Sequence, residues 1–222
     1  MGTDMIQLLV LAGIAVFLVI KLKNVLGTRE GFEKPQLPLP GAESNSERNR
    51  QKFEVIEGGV DHDIVDHAPE GSKTAKALAT MKAADENFFV SDFMGGASGA
   101  YEMILMAFEN GDLDEVMPFL SKDVYDSFQE VIDQRTEQNV IVEAKFVGIS
   151  EVKLVDASLD ENTKEGELKV RYIGELTSVV RDAAGDIIEG NPNEVKKQKD
   201  VWTFARVMGA DDPNWQLVAT GE

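Results

Sequence analysis

Only two histidines occur in the 222 residues, His62 and His67, and they fall together in Asp61-His-Asp-Ile-Val-Asp-His-Ala68. Imidazole and carboxylate suit several divalent ions, so Asp61, His62, Asp63, Asp66 and His67 have the residue types of a metal cluster. No outer layer of hydrogen-bonding residues is evident to hold such ligands, and the stretch is expected to be a solvated acidic loop that holds no metal. Cysteine is absent. That removes thiolate nucleophiles, disulfides and Cys-based zinc sites, and it fits a reducing compartment. Beyond residue 67 the chain lacks the commonest general base. Glu102, Asp123 and Tyr125 have the types for acid–base work in an apolar pocket, but no spacing selects them, and carboxylates on helix surfaces are ordinarily solvated. The expectation is a binding protein without a cofactor, not an enzyme.

The aromatic residues offer recognition chemistry instead. Trp202, Phe204 and Trp215 fall in short apolar segments near the C-terminus, and Tyr101 and Phe108 fall on a helix-patterned stretch upstream. They are candidates for the two walls of a binding pocket or groove, although such residues also fill cores. Arg206 follows Trp202 and Phe204 at spacing two and is expected at the pocket mouth beside Asp200, with a structural ion pair as its plainer role.

Elements that position these residues follow from periodicity. A helix is expected over 72–86, with Ser72 as its cap and a narrow stripe of Ala75, Leu78 and Met81 that suits packing on its own domain better than lying on a membrane. In the next, roughly 91–110, Phe93, Ala97, Tyr101, Ile104, Leu105 and Phe108 recur at three- and four-residue intervals, and Gly111 supplies a stop. Gly95, Gly96 and Gly99 each weaken it by about 1 kcal/mol relative to Ala, so something is expected to approach its backbone closely. Asp112-Leu-Asp-Glu115 has capping-box character and predicts a short helix ending near Pro118. Ser121 caps another, to about Gln138. From Val140 the period becomes two. Strands are expected over 140–155, with a bend at Gly148, then 167–181, 201–205 and 215–219. The fold class is α+β: about three helices covering one face of a bent four-stranded antiparallel sheet.

Met5–Ile20 stands apart, apolar except for Gln7. It makes a helix of roughly 24 Å, which Leu22, Val25 and Leu26 extend toward a hydrocarbon core of about 30 Å. A cleaved signal peptide begins with a basic region, whereas here Asp4 precedes the run and Lys21, Lys23, Arg29 and Lys34 follow it. The flanks favour an uncleaved anchor over residues 1–27, N-terminus outside and the rest in the cytoplasm. Neither Arg-rich nor amphipathic, the stretch is a poor mitochondrial presequence. Residues 28–71 have the Pro, Gly and polar composition of a disordered linker, reaching on the order of 35 Å if it behaves as a coil. Forty acidic residues against twenty-two basic give a formal charge of −18, which disfavours nucleic acid as a partner.

Four motifs then coincide in order: Phe93-Met-Gly with Ala100-Tyr101-Glu-Met-Ile104, Leu120-Ser-x-Asp-Val-Tyr125-x-x-Phe128, Trp202-Thr-Phe-Ala-Arg206, and Asp212-Pro-Asn-Trp215-x-Leu-Val-Ala219. Over 87–222 the chain resembles the Tim44-like domain family, and the whole is similar to its alphaproteobacterial TimA-type membrane adaptors. The resemblance implies a cone-like α+β domain of nuclear-transport-factor-two-like shape, with an apolar pocket between helices and sheet. Mitochondrial members tether an Hsp70-type import motor to the inner-membrane translocon and touch cardiolipin. This chain departs from them in having its own anchor and in its acidity. The expected function is a bacterial inner-membrane adaptor whose domain binds a protein partner, an Hsp70-type chaperone or a translocating chain; the alternative is a receptor for a lipid or small apolar ligand.

Overall fold

Two long runs that alternate apolar and polar side chains carry most of the regular structure, because period two puts every other residue on one face of a strand. In the computed structural model, which describes residues 61–221, these runs are β1 (Ile141–Leu159) and β2 (Glu165–Arg181). They pair antiparallel from Ile141 opposite Arg181 to Leu159 opposite Gly166. β2 turns Leu168, Val170, Tyr172 and Leu176 inward, all of them buried. β1 slips register around Val147, Ser150 and Val155, the first at the bend expected from Gly148, and each extra residue adds curvature.

Three further strands complete the sheet: β3 (Ile187–Gly190), β4 (Lys196–Val207) and β5 (Gln216–Gly221). The order is β1-β2-β4-β5, with β3 beside the end of β2. There are thus five antiparallel strands, not the expected four. The additional strand β3 is short and exposed along most of its length, so it has no alternation to read. β4 begins at Lys196 and not near Val201, because Lys196–Lys199 keep pairing with β2 and Lys197 forms an ion pair with Glu175 at 3.1 Å.

Helices α1 (His62–Val65), α2 (Lys73–Ala84), α3 (Val90–Asn110) and α4 (Lys122–Glu137) precede the sheet. Ser72 accepts the Ala75 amide and Ser121 the Val124 amide, as the capping pattern predicts. Gly111 ends α3 with φ of 74°, a left-handed conformation that glycine adopts without strain. α2 buries Ala75, Leu78 and Met81 and packs on β1. The helix expected after Asp112 is absent. Asp112 accepts the Asp114 amide two residues on, a local turn that competes with helix initiation, and only a 3-10 turn forms at Met117–Phe119.

The expected linker, 28–71, differs at its described end. α1 lies within it, with Ile64 and Ala68 buried in the core. Asp63 explains why. α3 has Phe89 at its cap position, with no side-chain oxygen to offer, and Asp63 supplies one from a distance, accepting the amides of Val90 at 2.8 Å and Ser91 at 2.9 Å. It also pairs with Lys82 at 3.0 Å. Asp63 is therefore a helix cap, and among the described residues no three His, Asp or Glu side chains gather as a metal set. The expected anchor, residues 5–20, lies outside the described residues; within them no helix is long and apolar enough to cross a membrane.

Burial alone would raise the Asp63 pKa, but the Ser91 and Val90 amides and the Lys82 ammonium outweigh it and hold the carboxyl at about 2. A depressed folded-state value stabilises the fold above the ordinary carboxylate pKa and is lost as pH falls toward about 2. Asp63→Ala in the full chain is expected to cost about 1–2 kcal/mol at neutral pH in denaturant unfolding. It should also flatten the loss of stability between roughly pH 4 and 2, and an unchanged acid limb would count against this role for Asp63.

Candidate functional site

At the centre of α3, Tyr101 is fully buried and stacks on Tyr172 at 4.3 Å. Its hydroxyl donates to Asp200 at 2.6 Å, and the Tyr172 hydroxyl donates to the Ala97 carbonyl at 3.1 Å. Trp202 closes the cluster, 4.8 Å from Tyr101. Burial pushes both phenols well above the ordinary tyrosine range, and Asp200 pushes Tyr101 further. Neither phenol ionises near neutral pH, so both act as fixed donors that key helix to sheet.

Beside this core lies an open cleft of about 350 Å³. Its floor is α3, where Gly96, Ala97 and Ala100 present little side chain. One wall is the approach to α3, with Phe88 and Phe89; the other is β4 and the β4–β5 loop, with Phe204, Arg206 and Trp215. The aromatic rings brace one another: Phe93 meets Trp215 edge-on at 4.8 Å and Phe204 at 5.9 Å. Phe89 and Met103 on the lining are 46% and 38% exposed, so the cleft presents apolar surface to solvent.

Arg206 anchors the loop wall. Its guanidinium pairs with Asp85 at 2.5 Å, donates to the Pro213 carbonyl at 3.2 Å and lies 5.1 Å from the centre of the Trp215 ring. Its expected neighbour Asp200 is instead the acceptor for Tyr101. Both side chains face inward on β4, but six residues separate them by about 20 Å along a strand.

Of the six residues proposed for a pocket from sequence, Phe204, Arg206 and Trp215 come together at the cleft. Tyr101 and Trp202 lie in the core. Phe108 sits near the end of α3, 4.7 Å from Phe128, with the Arg135 guanidinium 4.4 Å from its ring centre. Nearby, burial raises Glu109 above the usual carboxylate range and lowers Arg135. Glu102 and Asp123 are exposed on different helices. Sequence reasoning missed Phe88, Phe89 and Met103; the Phe88-Phe89 pair outside any periodic run was the available signal. It also expected close contact over the α3 glycines, yet apart from the adjoining turns of α3 itself no atom of the described residues would lie within 4 Å of a side chain added at Gly95, Gly96 or Gly99.

The Tim44-like domain profile matches residues 74–222, well over half of the chain. The chain belongs to the Tim44-like domain family. A Tim44-like domain suggests a membrane-associated adaptor or protein-interaction role. No curated protein matches the chain. The crystal structure of the intermembrane space region of the chloroplast protein ARC6 aligns with 65% of this chain and 94% of its own, at 9% identity and a TM-score of 0.34.

The core cluster yields a coupled prediction. A β-carbon at Gly174 would lie 2.5 Å from the Tyr101 hydroxyl, so Gly174→Ala is expected to cost about 1–3 kcal/mol through overpacking. Tyr101→Phe should cost about 1–2 kcal/mol through the lost hydrogen bond. Made together they should cost less than the sum, since the atom in closest conflict is gone, and strict additivity in urea unfolding would refute the contact.

Proposed function

We propose that the protein is a membrane-anchored adaptor of the TimA type, held by Met5–Ile20 with its Tim44-like domain at the cytoplasmic face, and that the cleft between α3 and the β4–β5 loop binds a segment of a protein partner. The observation that carries this reading is the cleft itself: apolar, open, floored by small residues, and edged by exposed Phe89 and Met103. An apolar concavity with a few placed polar groups is the usual form of a binding site. Binding, not catalysis, is its work. An Hsp70-type chaperone or a translocating chain is the kind of partner that the family and the anchor suggest. Tethering raises the effective concentration of the domain near membrane-bound partners, so modest affinity suffices.

The apolar lining also favours a second reading, a lipid or small apolar ligand in the same cleft. Native mass spectrometry of the purified protein separates the two: a stoichiometric small molecule favours the second, and a consistently empty protein speaks against it.

Affinity capture of the intact protein from its own membrane should return a partner that is lost on Gly96→Phe, which fills the cleft, and kept on Lys122→Ala, an exposed change elsewhere. Capture unaffected by Gly96→Phe would refute the cleft as the site. A reporter enzyme that works only in the cytoplasm should be active when fused after Glu222; activity of a periplasm-only reporter at the same position would overturn the topology.

A further inference from the structure

The charges around the cleft are one-sided. Asp92 is exposed on its lining, and Glu86, Asp211 and Asp212, also exposed, fall within two residues in the chain of the lining residues Asn87 and Pro213. The two nearby cations are already engaged, Arg206 by Asp85 and Lys82 by Asp63. An apolar trough with an acidic rim and neutralised bases repels carboxylates and attracts ammonium and guanidinium groups.

A second, independent observation concerns Arg206. Its Nε is the one buried side-chain polar atom without a hydrogen-bond partner among the described residues. Buried donors are ordinarily satisfied, and the exceptions call for an explanation. Because Asp85 already balances the guanidinium charge, the missing acceptor is best a neutral oxygen. Peptide segments carry one at every residue. Gly96, open on the floor, leaves room for such a backbone to lie close to α3.

We infer that the cleft selects a protein segment whose apolar core is flanked by lysine or arginine, with one main-chain carbonyl accepting the Nε–H of Arg206. This rests on the adaptor reading above and specifies the chemistry of the partner. The basic flanks face Asp92 and the Asp211–Asp212 turn. The apolar core covers Phe89, Met103 and Trp215.

The test uses the full chain in phosphatidylcholine nanodiscs and labelled synthetic peptides that share one Leu/Phe-rich core, flanked at both ends either by lysines or by glutamates. Peptide anisotropy gives affinity, and tryptophan emission reports the cleft, since Trp215 lines it while Trp202 is buried. The lysine-flanked peptide should bind about tenfold more tightly than the glutamate-flanked one at low salt, with the gap narrowing as salt rises. Asp92→Lys with Asp211→Lys should abolish or reverse that preference. Arg206→Lys keeps a cation for Asp85 but removes Nε, so it should weaken both peptides by about fivefold without changing their ratio. Equal affinity of the two peptides would overturn the charge selection while leaving the cleft as the site. An Arg206→Lys variant that binds as the parent does would overturn the carbonyl contact. If neither peptide binds but dihexanoylphosphatidylcholine shifts the tryptophan emission, the occupant is a lipid and the inference falls. If neither probe binds and Gly96→Phe leaves partner capture intact, the cleft reading fails with it.

Discussion

The domain depends on one arrangement: a long helix laid across a curved sheet and held there by two buried tyrosines. Tyr101 descends from α3 and Tyr172 rises from β2. They stack, and each hydroxyl reaches across to the opposite element. Apolar burial would hold α3 against the sheet in many positions, because hydrophobic attraction is nearly indifferent to direction. Two hydrogen bonds in opposite senses fix one position, since any slide leaves a buried donor unsatisfied. Gly174 completes the lock by leaving the space that Tyr101 occupies.

With α3 fixed by its buried face, its other side is free to serve as a floor. Gly96 there contributes no side chain to the core and weakens the helix, while Ala97 and Ala100 pack toward the core and leave the cleft shallowly floored. The exposed ring of Phe89 and the half-buried ring of Trp215 stand on segments outside regular structure, Trp215 held by Phe88, Phe93 and Arg206 and Phe89 lying beneath the Lys82 ammonium. The cleft is thus a rigid floor with walls borrowed from a helix approach and a loop.

Much of the sheet was legible because β2 alternates cleanly, with Leu168, Val170 and Tyr172 inward and Lys169 and Arg171 outward. α3 and α4 were legible because their apolar faces run over several turns and Ser121 and Gly111 mark their ends. The losses have physical causes. Lys196–Lys199 form a strand through backbone pairing and a surface ion pair, which leave no hydrophobic trace. α1 joins the fold through Asp63, a cap separated by 27 residues from the amide it satisfies, and capping rules look only a few residues ahead. Half of the expected pocket failed to gather for a related reason: Tyr101 and Trp202 have the residue types of a binding wall, but only the packing of α3 on the sheet shows that they meet each other in the core.

β1 lies at the edge of the sheet, long and rich in valine, the kind of strand that recruits others and drives aggregation. Its unpaired residues at the three register shifts include Val147 and Val155, both largely exposed. Each shift breaks the even spacing of amides and carbonyls along the open side, so a second strand laid against it finds only short runs in phase. The irregular strand therefore resists pairing edge to edge with the same strand of a second copy.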